Sequence, residues 1–160
     1  MLIIVKCILI LSFLLVFFQD VKERLVYWFL FPIIAICSGI LMYHNIIQQT
    51  LLITLSINIG FVLFLLVVVG LYSKIRLKTS IKETFGLGDG LLFLALTFTF
   101  SNVTFIVLFV FGMIFSLLLH LALKQKSKID TVPLAGYLSL FFAIAYCAYW
   151  TGFLESVYIF

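Results

Sequence analysis

Two aspartates at the ends of apolar segments are the residues of this chain best suited to do chemistry. Asp20 follows the first apolar segment, and the second aspartate ends the stretch Gly86-Leu87-Gly88-Asp89, just before another apolar run. Charged side chains are rare beside such segments unless they pair with another charge or have a function. The chain has only six acidic residues. Two carboxyl groups a few ångströms apart share one proton, because like charges at that range resist ionising together. The pattern therefore predicts a carboxylate pair that hydrolyses a peptide bond.

In such a pair the ionised carboxylate takes a proton from water as that water attacks the carbonyl carbon. The protonated partner hydrogen-bonds to the carbonyl oxygen and supports the tetrahedral intermediate. Gly86 and Gly88 have a use here, because a backbone without Cβ can turn sharply and let a substrate strand approach. Each aspartate also has a plainer interpretation: Asp89 as a helix N-cap, and Asp20 as a solvated carboxylate beside Lys22. Their joint placement favours the pair.

The composition indicates that these residues work in or beside a lipid bilayer. The chain of 160 residues is 66% hydrophobic and only 10% charged, whereas a soluble domain is about half apolar and a quarter charged. The longest polar stretch, 73–88, leaves no room for a sizeable water-soluble domain, so we expect one membrane-embedded domain over residues 1–160. The net charge is +4. The distribution of the basic residues fits membrane topology better than a nucleic-acid-binding surface, so no nucleic acid is expected as a partner.

The apolar segments predict an all-α bundle of about six transmembrane helices. A spanning helix needs about 20 mostly apolar residues, and charged or turn-forming clusters divide the chain into six runs, which lie near 2–18, 25–43, 51–72, 89–102, 103–123 and 133–155. A polar link, 19–24, separates the first two runs. The fourth run is short and is expected to start below the membrane surface. Pro133 is well placed to open the last helix.

The basic residues predict how the bundle is oriented. With the N-terminus outside the cytoplasm, nine of the ten Lys and Arg residues lie in cytoplasmic loops, and only Lys6 lies elsewhere. This positive-inside bias predicts that both termini are outside and that Asp20 and Asp89 face the cytoplasm. The same bias explains Lys74, Arg76, Lys78 and Lys82 better than a role in positioning substrate. The first segment has no A-x-A cleavage pattern, so we expect it to be retained as a helix.

The sequence predicts neither a cofactor nor a metal. Cys7, Cys37 and Cys147 lie in apolar segments without CxxC spacing and are typical of small buried hydrophobes. His44 and His120 have no partner at a metal-ligand spacing.

Three segments, in order, resemble the type IV prepilin peptidases and the related archaeal preflagellin peptidases, which are GxGD membrane aspartic proteases. The GxGD element is 86–89, followed by a leucine-rich helix. The earlier element, an aspartate followed after four residues by two aliphatics, is Asp20 with Leu25-Val26. The third, a Val/Ile-Pro motif that opens the last helix, is Val132-Pro133. The resemblance covers the whole chain as a minimal peptidase core.

The resemblance implies that Asp20 and Asp89 are the catalytic pair, supported by the remaining motif residues: Gly86, Gly88, Leu25, Val26 and Pro133. It implies a peptidase of the cytoplasmic (inner) membrane that removes a short basic leader from prepilin-like or pseudopilin-like precursors at the cytoplasmic face. Such precursors serve type IV pili and protein secretion. The precursor and the lipid bilayer are then the expected partners, while the oligomeric state is not predicted.

Some positions depart from the family pattern. The proline that usually follows the two aliphatics is Tyr27, and the lysine common two residues after the GxGD aspartate is Leu91. The last motif, commonly Pro-Phe-Gly-Pro, reads Pro-Leu-Ala-Gly at 133–136. These changes bear on substrate specificity more than on the aspartates. The N-terminal segment with paired CxxC motifs, linked in many bacterial members to methylation, is missing, so methyltransferase activity is not expected.

Two alternatives remain open. One is a GxGD protease for a different membrane substrate. The other is a small transporter or assembly factor in which the two aspartates bind protons or cations.

Overall fold

The described part of the chain folds into six α-helices. A computed structural model describes residues 2–77, 86–123, 132–154 and 157–158, and within these ranges every regular element is helical, which confirms the predicted all-α fold. The helices are α1 Leu2–Glu23, α2 Leu30–Asn45, α3 Gln48–Tyr72, α4 Leu87–Leu96, α5 Asn102–Leu123 and α6 Leu134–Trp150. A π-helical turn, Ser73–Leu77, continues α3.

Three of the helices are long and apolar enough to cross a membrane: α1, α5, and α3 with its continuation to Ile75. Large apolar side chains on their outer faces, such as Ile3, Phe64 and Leu118, are exposed, as in a protein embedded in lipid. The helices α2 and α6 are shorter, with 16 and 17 residues. With ten residues, α4 is about 15 Å long and extends through only half of an apolar layer about 30 Å thick.

The boundary between the first two helices differs from the prediction. The segment 19–24 is not a separate polar link, because α1 continues to Glu23. Nor does the second helix begin at Leu25, since α2 begins at Leu30. As a result, Asp20 lies within the last turns of α1, and the six residues 24–29 connect α1 to α2.

Local backbone geometry explains this boundary. Arg24 has a left-handed backbone with φ of 56°, a conformation that ends a helix. The backbone N–H of Tyr27 then donates to Oε1 of Gln19 at 3.1 Å, which ties the connection back to the last turns of α1. The composition of the segment did not indicate either feature.

The packing places α4 inside the bundle. It contacts α2, α3 and α6, while α1 packs against α2 and α6, and α5 packs against α3 and α6. Fully buried aromatic side chains fill the space between these helices: Phe13, Phe93, Phe100, Phe142 and Tyr146. Gly112 brings α5 and α6 close together, since a Cβ there would lie 2.6 Å from Cδ1 of Leu138.

Beyond α4 the chain is irregular and buried inside the bundle. Thr97, Thr99 and Phe100 have no exposed surface, and backbone carbonyl groups in an apolar interior need hydrogen-bond donors. Asn58 of α3 supplies two of them, because its Nδ2 donates to the carbonyl oxygens of Thr97 and Phe100, both at 3.1 Å. The hydroxyl of Tyr146 on α6 donates to the carbonyl oxygen of Thr99 at 3.2 Å. Polar side chains of two helices therefore fix the inner end of α4.

Replacing Asn58 by leucine should destabilise the protein by about 2 kcal/mol, because two buried carbonyl groups lose their donor. Thermal unfolding of the purified protein in detergent measures this loss. Ser56→Ala is the matched control, since its hydroxyl is exposed and bonds only within α3, to the carbonyl of Leu52. Equal unfolding temperatures for Asn58→Leu and the unmodified protein would contradict the assigned role of Asn58.

Candidate active site

The two aspartates singled out by the sequence meet at the N-terminus of α6. The backbone N–H of Gly136 donates to Oδ2 of Asp20 at 2.6 Å, and the N–H of Ala135 donates to Oδ1 of Asp89 at 2.8 Å. Because these amides belong to adjacent residues, the two carboxyl groups lie side by side. They are close enough for the charge of Asp20 to act on Asp89. Asp20 comes from α1 and Asp89 from α4, so three helix ends build the site.

The start of α6 is suited to hold two carboxylates. The first N–H groups of a helix have no partner within the helix, and the helix dipole favours negative charge there. Pro133 occupies the N-cap position, just before the first helical residue, and it is buried. The predicted place of Pro133 at the opening of the last helix is thus confirmed to within one residue. The amide of Leu134 donates to the carbonyl oxygen of Val132, and the next two amides, of Ala135 and Gly136, are those that bind the aspartates.

Asp20 is buried, with only 9% of its surface exposed. The alternative of a solvated carboxylate beside Lys22 is therefore wrong, because Lys22 is exposed while Asp20 points inward to Gly136. A buried carboxylate is unfavourable unless it is hydrogen-bonded. The amide of Gly136 supplies that bond.

Asp89 is the third residue of α4, and Gly86 takes the N-cap position. The alternative of Asp89 as the N-cap is therefore wrong in position. Its carboxylate does reach back to the backbone N–H of Gly86, as the third helical residue does in a capping box. Asp89 is partly exposed, so the pair is accessible from outside on the side of α4.

Close approach explains one of the two motif glycines of the site, Gly86. Neither Gly86 nor Gly88 has a positive φ, so the backbone of neither residue requires glycine. A Cβ on Gly86 would lie 3.1 Å from Oδ2 of Asp89, whereas one on Gly88 would make an ordinary contact of 3.6 Å with Phe31. Gly86 therefore leaves space for the carboxyl group that it binds.

Gly136 is a site residue that the sequence did not single out. A Cβ there would lie 3.1 Å from both Cβ and Oδ2 of Asp20, and 3.3 Å from the carbonyl oxygen of Phe17. The absence of a side chain thus lets α6 approach α1 closely enough for its amide to bind Asp20. The available signal was the pair of small residues, Ala135 and Gly136, two and three positions after the proline.

The other motif residues differ in their surroundings. Val26 packs against the buried core. Leu25, by contrast, is 76% exposed and does not pack against this core. Arg24 is one of the nine basic residues that the positive-inside bias places in cytoplasmic loops, yet its charge also acts on both aspartates. It is the third charged group of the site. Lys78 and Lys82 lie outside the described residues.

No protein family, curated protein or solved structure matches this chain. The similarity to GxGD proteases therefore depends on the three short motifs alone. The geometry of the two aspartates is an independent observation, because the motifs do not determine how the helices pack.

The arrangement can carry out acid–base chemistry. Two carboxyl groups at this range resist ionising together, so one can accept a proton from water while the other, still protonated, donates a hydrogen bond. The amides of Ala135 and Gly136 hold the carboxyl groups in place, and charge-assisted hydrogen bonds of this kind are strong. Both groups are thus positioned before any substrate binds.

Proposed function

We propose that this protein is a membrane aspartic endopeptidase that removes the leader from prepilin-like or pseudopilin-like precursors. The observation that carries the proposal is the side-by-side placement of Asp20 and Asp89 on adjacent amides of α6. Such a pair suits peptide hydrolysis, in which both an acid and a base are needed at one carbonyl group. The order of the three motifs along the chain supports the choice of precursor.

In the proposed reaction a water molecule lies between the two carboxyl groups. The ionised aspartate takes a proton from this water as the oxygen attacks the carbonyl carbon of the scissile bond. The protonated aspartate donates a hydrogen bond to the carbonyl oxygen, and it stabilises the tetrahedral intermediate. When the C–N bond breaks, a proton passes to the leaving amine, and the pair returns to its singly protonated form.

The distribution of charges supports an active site at the cytoplasmic face of the inner membrane, with both termini outside the cytoplasm. Lys22 and Arg24 lie at the same end of α1 as Asp20. At the opposite end, Nζ of Lys6 lies 4.9 Å from the ring centroid of Trp150, and amphipathic pairs of this type are common at membrane surfaces. The positive-inside rule places the end with more basic residues in the cytoplasm.

The proposal is tested by co-expressing the protein with a tagged pilin-like precursor. Cleavage should shorten the precursor and create a defined new N-terminus directly before its hydrophobic helix. Gel mobility and N-terminal sequencing of the product measure both changes. If several such precursors keep their leaders, the substrate assignment is wrong.

A second candidate function is transport or assembly that uses the aspartates for protons or cations. The observation in its favour is that both carboxyl groups lie at a helix terminus among apolar helices, a common position for ion and proton sites in membrane proteins. This function predicts ion-dependent flux in vesicles that disappears in the aspartate variants. It also predicts that precursor processing, if any occurs, does not depend on Asp20 or Asp89.

A further inference from the structure

The backbone of Arg24 is unfavourable for the residue that it carries. Its N–H still donates to the carbonyl oxygen of Asp20 at 3.2 Å, but its φ of 56° lies in the left-handed region. Glycine is the usual residue at such a helix end, because a Cβ is strained there. The protein is less stable with arginine at this position than it would be with glycine. This loss of stability indicates that the arginine side chain has a function.

The guanidinium of Arg24 also lacks acceptors. Its Nε and Nη1 atoms are buried, and neither has a hydrogen-bond partner in the part of the chain that the structure describes. The group is close enough for its charge to act on both Asp20 and Asp89, yet these two nitrogens donate to neither carboxylate. Buried charged donors are unfavourable unless an acceptor reaches them. The acceptor is therefore expected from a molecule that binds beside the two aspartates.

We infer that Arg24 binds the substrate peptide, with Nε and Nη1 donating to backbone carbonyl oxygens beside the scissile bond; this inference rests on the proposed peptidase function. A neutral acceptor fits the charge of the site. One arginine and an aspartate pair that holds one proton are neutral together, and a third carboxylate would add an unpaired negative charge to a partly buried site. A peptide in an extended conformation presents a carbonyl oxygen at every residue, so the donors and the aspartates can bind neighbouring parts of one chain.

The test compares Arg24→Gly and Arg24→Lys with the unmodified protein in detergent, using a tagged pilin-like precursor as substrate. Arg24→Gly removes the donors and relaxes the backbone, so we expect KM to rise about tenfold or more while the unfolding temperature stays equal or rises. Arg24→Lys keeps the charge but loses the planar set of donors, and it should restore only part of the affinity. Lys22→Gln is the matched control, because it removes an exposed charge from the same turn and should change KM less than twofold.

The outcomes separate this inference from the proposed function. If the unmodified protein cleaves the precursor and Arg24→Gly has the same KM, the inference is overturned and the peptidase proposal stands. A second result would also overturn the inference. If Arg24→Gly unfolds at a lower temperature, and anionic lipid changes the unfolding temperature of the unmodified protein but not of the variant, Arg24 is a lipid anchor. If the unmodified protein cleaves no precursor, the proposed function fails, and the inference fails with it.

Discussion

Asp20→Asn and Asp89→Asn should each lower kcat for precursor cleavage by about 10³-fold or more, with the protein still folded in the membrane. Each change removes either the base or the acid of the pair, and residues that act as a unit lose nearly all activity when one of them is removed. An asparagine keeps the shape of the side chain and an oxygen that accepts from the α6 amide. The expected loss is therefore chemical rather than structural. Cleavage rates in membranes, normalised to the amount of each protein, measure it.

The matched control for the aspartate variants is Glu23→Gln, which changes an exposed carboxylate on the same helix as Asp20. Its cleavage rate should equal that of the unmodified protein. The double variant of Asp20 and Asp89 should be no slower than the single variants, because neither aspartate works alone. A single variant that cleaves at a rate near that of the unmodified protein would refute the paired mechanism.

Gly136→Ala should lower kcat by about 10- to 100-fold. The added Cβ would lie 3.1 Å from Asp20 and 3.3 Å from the backbone carbonyl of Phe17, and the backbone of α1 has little freedom to move. The helices must separate slightly, which moves Asp20 relative to Asp89, and misplacement of reacting groups by about 1 Å can reduce a rate 10²-fold. Steady-state kinetics beside thermal unfolding measure the two effects separately, and overpacking of this kind destabilises a protein by about 1–3 kcal/mol.

Gly60→Ala controls for the general effect of adding a methyl group to a helical glycine. Nothing lies within 4 Å of a Cβ built on Gly60, and alanine favours a helix more than glycine does. Activity should be unchanged and stability equal or higher. If Gly136→Ala behaves in the same way as Gly60→Ala, then close approach of α6 to α1 is not what places Asp20.

The sequence predicted the helices better than it predicted the site. Long apolar runs and rare charges were sufficient to predict an all-α bundle with six helices, with Asp20 and Asp89 at helix ends. The start of α2 was missed because it depends on the backbone of Arg24, whose charge suggested only topology. Gly136 was missed because its role arises from a contact with a residue 116 positions away. Contacts of this kind depend on how helices pack, which periodicity and composition do not specify.

The inner end of α4 is also a product of packing. Asn58 is one of three polar residues, with Thr54 and Ser56, in an otherwise apolar run, and nothing near it in the sequence indicates its partners. These partners, the carbonyl groups of Thr97 and Phe100, follow α4 by only a few residues. The sequence does not distinguish Asn58 from Ser56 of the same helix, whose hydroxyl bonds only to the carbonyl oxygen of Leu52.

The fixed inner end of α4 determines how deep Asp89 lies. The helix α4 has only ten residues, and Asn58 and Tyr146 hold its inner end from within the bundle. Its outer end, which carries Asp89, therefore lies at a fixed depth in the bundle. The depth of Asp89 is therefore set from inside the bundle, by polar side chains of other helices rather than by the motif that contains it.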